Sequence, residues 1–138
     1  MKKRKLITSD YAQLVSRREG AILHTELPHL LEQFYQELLN AELLDSGQIS
    51  DKVICLNSKV KLKEKKLGKF LNVTLALPEE ANPNEFRVSV FSSIGMSLIG
   101  RSVGDQVSWK IHNLTAYFEV IEVTHQSAII EHLKPHFA

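Results

Sequence analysis

Residues 89–105 read Ser-Val-Phe-Ser-Ser-Ile-Gly-Met-Ser-Leu-Ile-Gly-Arg-Ser-Val-Gly-Asp and contain three of the six glycines in the chain. The pattern predicts a short strand, a turn at Ser92–Ser93, about one and a half turns of helix and a second tight turn. Gly100 lies where the C-terminal end of a helix favours a left-handed residue, because glycine has no Cβ to clash there. The apolar residues predicted to pack this helix onto a sheet are Met96, Leu98 and Ile99.

Strands with a period of two precede this stretch. In residues 59–63, lysines alternate with Val60 and Leu62, which predicts a strand with one buried face and one basic face. Further lysines around the following turn are Lys65, Lys66 and Lys69. This basic surface is open to two interpretations, a solvated face or a docking surface for an acidic partner.

More strands are predicted on both sides of the central stretch. One spans residues 70–77 and ends at Pro78, a short one lies around Val88, and the last two span residues 106–111 and 116–124. Residues predicted to point inward from the last two strands are Val107, Trp109, Phe118, Val120 and Glu122. The C-terminal residues 127–138 are expected to form a loose tail.

The first 48 residues show a helical period instead. Residues 1–7 are expected to be a basic, solvated tail. Asp10 is a candidate helix N-cap, and Gln13 lies where a capping box requires it. The first helix should stop near Gly20 and the second near Ser46-Gly47.

The second helix carries a heptad pattern. Its apolar seam is Leu27, Leu31, Phe34, Leu38 and Ala41, and a second apolar stripe is Leu30, Leu39 and Leu43. The two stripes predict a helix packed on two sides. Two helices joined by a short connection predict an antiparallel hairpin, a short coiled coil over residues 1–48.

Composition limits the classes of function. With 43% hydrophobic and 24% charged residues, the 138-residue chain is typical of a globular protein with one modest core. A net charge of +1 argues against binding nucleic acid through overall charge. The single cysteine excludes an intrachain disulfide and a multi-cysteine metal site. We find neither a signal-peptide pattern nor a membrane-spanning run, so we expect a cytoplasmic protein without a cofactor.

The central stretch resembles the signature of the C-terminal domain shared by the Gre transcript-cleavage factors and the regulator of nucleoside diphosphate kinase, Rnk. Thr8-Ser9-Asp10-Tyr11, Asn57-Ser58 and Pro78-Glu79-Glu80-Ala81-Asn82 fit the same family, and the short N-terminal segment resembles Rnk more than a full-length Gre factor. The resemblance implies binding to bacterial RNA polymerase near its secondary channel. In Gre relatives, the loop before the little helix docks on the polymerase, and the matching residues are Ser92, Ser93 and Ile94. The family commonly has proline at Ser93 and alanine at Ser97.

Gre factors stimulate cleavage through an Asp and a Glu at the hairpin tip, which help to hold a metal ion in the polymerase active site. The inferred tip here offers Glu19, His24 and Glu26 without an Asp-x-x-Glu pair. The resemblance therefore implies a non-enzymatic regulator that competes with Gre factors. A cleavage factor with an atypical acidic tip is the alternative.

Prolyl isomerase activity and a histidine metal site have weaker support. The strand pattern is similar to that of FKBP-type prolyl isomerases, but aromatic residues in strands are usually core and no FKBP motif accompanies them. His132 and His136 have the spacing of metal ligands on a helix, but Pro135 between them disfavours a helix. The predicted architecture is thus α+β: a helical hairpin over residues 1–48 on an FKBP-like antiparallel sheet domain with one short helix over residues 49–138.

Overall fold

A computed structural model describes residues 2–125 of the protein. The helices are α1 (Thr8–Ser16), α2 (Pro28–Leu39) and α3 (Ser93–Leu98), with short 3-10 turns at Ala21–His24, Pro78–Glu80 and Pro83–Glu85. The strands are β1 (Lys5–Ile7), β2 (Glu42–Leu44), β3 (Ser58–Glu64), β4 (Phe70–Ala76), β5 (Arg87–Ser89), β6 (Gln106–Ile111) and β7 (Leu114–His125). The predicted tail with His132 and His136 lies outside the described residues. Within residues 2–125, no helix is long and apolar enough to cross a membrane.

The larger sheet has the strand order β5-β4-β3-β7-β6. Its pairs are antiparallel except for β4 and β5, which run parallel because the two 3-10 turns carry the chain back before β5 begins. The α+β class with a mainly antiparallel sheet and few helices is therefore confirmed. The parallel edge strand is a departure from the predicted antiparallel sheet.

Strand β3 lies at the centre of this sheet and shows the predicted alternation. Val60 and Leu62 are fully buried, whereas Lys59 and Lys63 are exposed. On the neighbouring β7 the prediction for Glu122 is wrong. A register shift skips Ile121, so that Val123 contacts the core and Glu122 faces solvent. A bulge of this kind reverses the alternation beyond it, which a period-two pattern does not anticipate.

The N-terminal residues are structured, so the prediction of a solvated tail is wrong. Strand β1 pairs in parallel with β2, and Leu6 at its centre is only 1% exposed. Helix α2 accordingly ends earlier than predicted, at Leu39. The Asn40 side chain donates to the Gln36 carbonyl oxygen at 3.0 Å, and the chain turns directly into β2.

Helix α2 buries one face. Leu31, Phe34 and Leu38 are buried, as the heptad spacing predicted, and the Phe34 ring lies edge-on to Phe91 with the ring centroids 6.4 Å apart. This face therefore packs against the turn between β5 and α3. The second stripe, Leu30, Leu39 and Leu43, is 39–47% exposed, so its predicted packing is wrong.

Helix α1 begins without the predicted capping box. Its N-cap is Ile7, whose side chain has no polar atom, and Asp10 is buried instead of capping. The Asp10 carboxylate accepts a hydrogen bond from the Leu56 backbone N–H at 3.0 Å, which ties α1 to the segment before β3. Burial raises the pKa of Asp10 to about 6, although the Leu56 N–H lowers it in part.

This buried carboxyl predicts a pH-dependent stability. Because the pKa of Asp10 is about 6 in the folded protein and near 3.8 when exposed, the folded state holds its proton more tightly. The free energy of unfolding should therefore fall by about 2–3 kcal/mol as the pH rises from 4 to 6 and then level off. Asp10→Asn keeps an acceptor for Leu56 N–H without the charge and should remove this fall, as measured by urea unfolding at several pH values.

The matched control is Asp51→Asn, a substitution at an exposed aspartate. Its curve of unfolding free energy against pH should run parallel to that of the unmodified protein. If the curve for Asp10→Asn also ran parallel to that of the unmodified protein, the pH dependence would not come from the buried Asp10 carboxylate.

Candidate partner-docking site

The N-terminal end of α3 is held by its own side chains. Ser92 is the N-cap, and its hydroxyl accepts a hydrogen bond from the Gly95 N–H at 3.1 Å and donates one to the Ser89 carbonyl oxygen at 2.6 Å. The first bond satisfies an N–H of the first helical turn, and the second adds to the bond that the Ser92 N–H donates to the same Ser89 oxygen at 3.0 Å. The predicted turn at Ser92–Ser93 is thus the entry to α3.

Gly95 allows this turn to close tightly. A Cβ at this position would lie 2.0 Å from the Ser89 carbonyl oxygen and 2.7 Å from the Val90 Cα. Any side chain here would push α3 away from the end of β5. The loop from Ser89 to Gly95 is therefore rigid because the backbones touch.

The C-terminal end of α3 is held by Arg4. Its guanidinium donates to the carbonyl oxygens of Met96 at 2.6 Å and Ile99 at 2.9 Å. Gly100 follows with a φ of +80°, as its predicted left-handed role requires, and its N–H donates to the Ile54 carbonyl oxygen at 2.9 Å. A cation at the last turn also interacts favourably with the helix dipole.

A small ionic cluster connects this end of α3 to α2. Glu37 of α2 accepts hydrogen bonds from the Arg4 Nε at 3.1 Å and from Arg101 at 3.2 Å. Burial lowers the pKa of Arg4 to about 10, and the nearby Arg101 adds to this effect, while Glu37 opposes it. Arg4 therefore remains a cation at neutral pH, with its charge shared between a carboxylate and two carbonyl oxygens.

A groove of about 590 Å³ lies between α2, α3 and the β6–β7 edge. Its apolar lining is Leu27, Leu30, Phe34, Met96 and Trp109, and its polar rim includes Ser93, Ser97, Ser108 and Thr115. Leu30 is 39% exposed here. The lining also includes the charged Glu37 and Lys110, and a surface that combines apolar, hydroxyl and charged groups is suited to binding a protein segment.

The three predicted docking residues have different surroundings. The Ser92 hydroxyl is engaged within the turn, Ile94 is partly buried against the core, and Ser93 lines the groove. All three are partly exposed, and Ser93 is the member of the set that lines the groove. The contact of these residues with a partner stays a prediction.

The three predicted tip residues lie around the 3-10 turn at Ala21–His24. Glu19, His24 and Glu26 are all exposed, and within residues 2–125 no cluster of three or more His, Cys, Asp or Glu side chains could hold a metal ion. Just before them, Arg17 makes a bidentate pair with Glu79 at 2.7 and 2.8 Å. The end of α1 is thus tied to the turn after β4.

The sequence analysis missed the residues that hold α3. Arg4 was assigned to the tail, and neither Glu37 nor Gly95 was singled out. Leu6-Ile7, a pair of apolar residues directly after four basic ones, was the available signal for a buried N-terminal strand. Nothing local indicates the partners of Arg4, because Met96 and Ile99 lie more than ninety residues away.

Residues 49–125 match the family model described as "Transcription elongation factor, GreA/GreB, C-term". The chain belongs to this family. The match contains α3 with both of its ends, and all of the larger sheet. The Gre part of the predicted resemblance is therefore confirmed.

Curated relatives and a solved structure agree with this assignment. The chain is 34% identical to GreA of Flavobacterium johnsoniae over 96 residues, which is 70% of this chain and 59% of that protein. It is 33% identical to GreA of Syntrophus aciditrophicus over 116 residues, which is 83% of this chain and 70% of that protein. The matches cover only 55–59% of the length of several GreA relatives.

The fold is similar to that of a "Prokaryotic transcription elongation factor GreA/GreB from Nitrosomonas europaea", with a TM-score of 0.76. The similarity covers 91% of this chain and 100% of the other at 23% identity. It supports the fold alone.

Two glycines of this Gre-family domain form a matched test of the α3 terminus. Gly100 and Gly104 both have positive φ, but a Cβ at Gly100 would lie 2.8 Å from the Arg4 Cβ, whereas Gly104 has open space. Gly104→Ala should destabilise the protein by about 1–2 kcal/mol through backbone strain alone. Gly100→Ala should cost clearly more in urea unfolding, because Arg4 must also move. Equal losses of unfolding free energy in the two variants would show that the close approach of Arg4 to Gly100 does not affect stability.

Arg4 provides the second test. Arg4→Leu removes the donor to Met96 and Ile99 and leaves buried carbonyl oxygens without a partner, so it should destabilise the protein by about 2–4 kcal/mol. Lys3→Leu, at the exposed neighbour, should change stability by less than about 0.5 kcal/mol. Thermal unfolding of both variants measures the difference. A small effect of Arg4→Leu would contradict the role assigned to the guanidinium.

Proposed function

We propose that this protein is a non-enzymatic transcription regulator that binds bacterial RNA polymerase near its secondary channel and competes there with Gre factors. The observation that carries the proposal is the rigid entry to α3, which lies in the part matched by the Gre family and forms one wall of the groove. Because both ends of α3 are fixed, Ser93 is presented in one position. A preorganised surface loses little entropy on binding.

Within the proposed docking loop, the residues act differently. Ser93 contacts the polymerase together with Ser97 of the same groove wall, and Ser92 acts by holding the turn. Ile94 anchors the loop on the core. The exposed Leu30 supplies apolar surface on the opposite wall.

The length of the helical segment supports binding without cleavage. Helices α1 and α2 lie between β1 and β2 in the chain. Because β1 and β2 pair with each other, both ends of the helical segment are fixed in the fold, and its length is the number of residues between these strands. Helix α1 has 9 residues and α2 has 12, which at 1.5 Å per residue is about 14 and 18 Å. Glu19 and Glu26 are then the acidic residues near the tip, and the Arg17–Glu79 pair restrains that end.

The resemblance to Rnk and the division of the chain into two parts belong to the same proposal. A short helical segment on a Gre-type domain is the arrangement that the resemblance to Rnk implies, and we retain Rnk as the nearer kind of relative. The division into a hairpin of residues 1–48 and an FKBP-like domain of residues 49–138 is supported by the family match, which begins at residue 49.

The test is competition on a backtracked transcription complex. The protein alone should leave the cleavage rate unchanged, and increasing amounts should slow Gre-stimulated cleavage, because two proteins that share a site raise each other's apparent Kd. Ser93→Asp should weaken polymerase binding about tenfold or more, since the partner would bury an added carboxylate at the contact surface. An aspartate in the first turn of a helix is tolerated, so the fold should persist.

The control is Asn84→Asp, which adds the same charge in an exposed turn away from the groove. It should bind and inhibit like the unmodified protein. Faster cleavage with the protein alone would instead support the alternative, a cleavage factor with an atypical tip. If saturating amounts leave Gre-stimulated cleavage untouched, the two proteins do not share a site.

A further inference from the structure

The charge of this protein is unevenly distributed along the chain. Residues 59–69 contain six of its 17 Lys and Arg residues but only one of its 16 Asp and Glu residues. The rest of the chain therefore has 11 basic and 15 acidic residues. The net charge of +1 conceals a strongly basic segment on a protein that is otherwise acidic.

The fold turns this segment into a surface, the basic face, made of Lys59, Lys61, Lys63, Phe70 and Asn72. The three lysines alternate with the buried Val60 and Leu62, so they lie on the side of β3 away from the core. Side chains two residues apart on a strand are about 7 Å apart. On β4, Phe70 lies opposite Lys63 and Asn72 lies opposite Lys61.

Phe70 is an apolar ring in the middle of this charge. It is 55% exposed, and its ring centroid is 4.6 Å from the Lys61 Nζ and 5.9 Å from the Lys63 Nζ. The ring is on the solvent side of the sheet and contributes little to the core. The lysines orient it by cation–π contact, which leaves a π surface flanked by positive charge.

The lysines are available to an anionic partner. Among residues 2–125, the ion pairs involve Lys2, Arg4, Arg17, Arg18 and Arg101, and none involves a lysine of the basic face. The one acid of the segment, Glu64, accepts a hydrogen bond from the Lys66 N–H in the β3–β4 turn. On β7, Glu119 and Glu122 lie opposite Lys63 and Lys61 and form the acidic border of the face, whereas the β4 side has no acid opposite these lysines.

We propose that the basic face binds single-stranded RNA. An exposed aromatic side chain on a sheet, flanked by lysines, lets unpaired bases stack on the ring while the lysines contact the phosphates. A duplex keeps its bases inside and cannot stack them on Phe70, whereas an unpaired strand engages the ring and the lysines together. This activity goes beyond polymerase docking and uses a different surface, the side of the sheet opposite the core.

The test is fluorescence anisotropy of the full-length protein with a labelled single-stranded RNA of mixed sequence, over a range of salt concentrations. Three lysine–phosphate contacts predict a slope of about −2 in log affinity against log salt. Lys61→Gln with Lys63→Gln should make this slope shallower by about 1.4. Phe70→Ala should weaken binding about tenfold and leave the slope unchanged, because stacking releases no counterions.

Two controls match these changes elsewhere on the protein. Lys3→Gln with Lys52→Gln removes two exposed lysines, and Phe86→Ala removes an aromatic ring that is 60% exposed. Both should bind RNA like the unmodified protein, and thermal unfolding checks that every variant folds.

Three results would overturn the proposal. One is the absence of RNA binding at low salt. Another is equally tight binding of duplex RNA. The third is unchanged binding by Phe70→Ala together with competition by poly-glutamate as strong as that by RNA, which would make the face a docking surface for an acidic protein.

Discussion

The buried guanidinium of Arg4 is the interaction on which the arrangement of this fold depends. It lies directly before β1 and reaches the last turn of α3 and the Glu37 side chain of α2. A buried cation is costly unless charge and hydrogen bonds compensate it, and here a carboxylate and two carbonyl oxygens do so. Displacing any one of these elements would leave the charge uncompensated, so α2, α3 and the N-terminal strand hold each other in place.

The groove follows from this constraint. Glu37 draws α2 toward the end of α3, while the edge-on contact of Phe34 with Phe91 sets α2 on the core. The helices therefore meet closely at one end and leave a groove between them, with Leu30 exposed on one wall and Ser93 on the other. A surface built from rigid elements is well suited to recognising a large partner, because little has to be ordered when the partner binds.

The two sides of the sheet have different chemistry because the side chains of β3 alternate. Its inner residues join the core beneath α3, and its outer lysines meet the exposed Phe70 of β4. The groove and the basic face are therefore separate surfaces. Substitutions in the groove and on the basic face therefore test the two proposals independently.

Local patterns in the sequence determined the strands of the larger sheet, the short helix α3 and the left-handed Gly100, because alternation, helix length and positive φ depend on neighbouring residues. They also indicated the lysines of β3 as one face, whereas Ser93 as a candidate contact was implied by the family resemblance. They did not predict β1 and β2, which pair with each other across more than thirty residues. Only the tertiary structure decided the roles of Arg4 and Asp10, the early end of α2 and the bulge at Ile121. Each of these depends on a group distant in the chain, such as the Met96 carbonyl oxygen for Arg4 or the Leu56 N–H for Asp10. Burial of a polar side chain is favourable only once such a partner is in place, so no pattern among adjacent residues can reveal it.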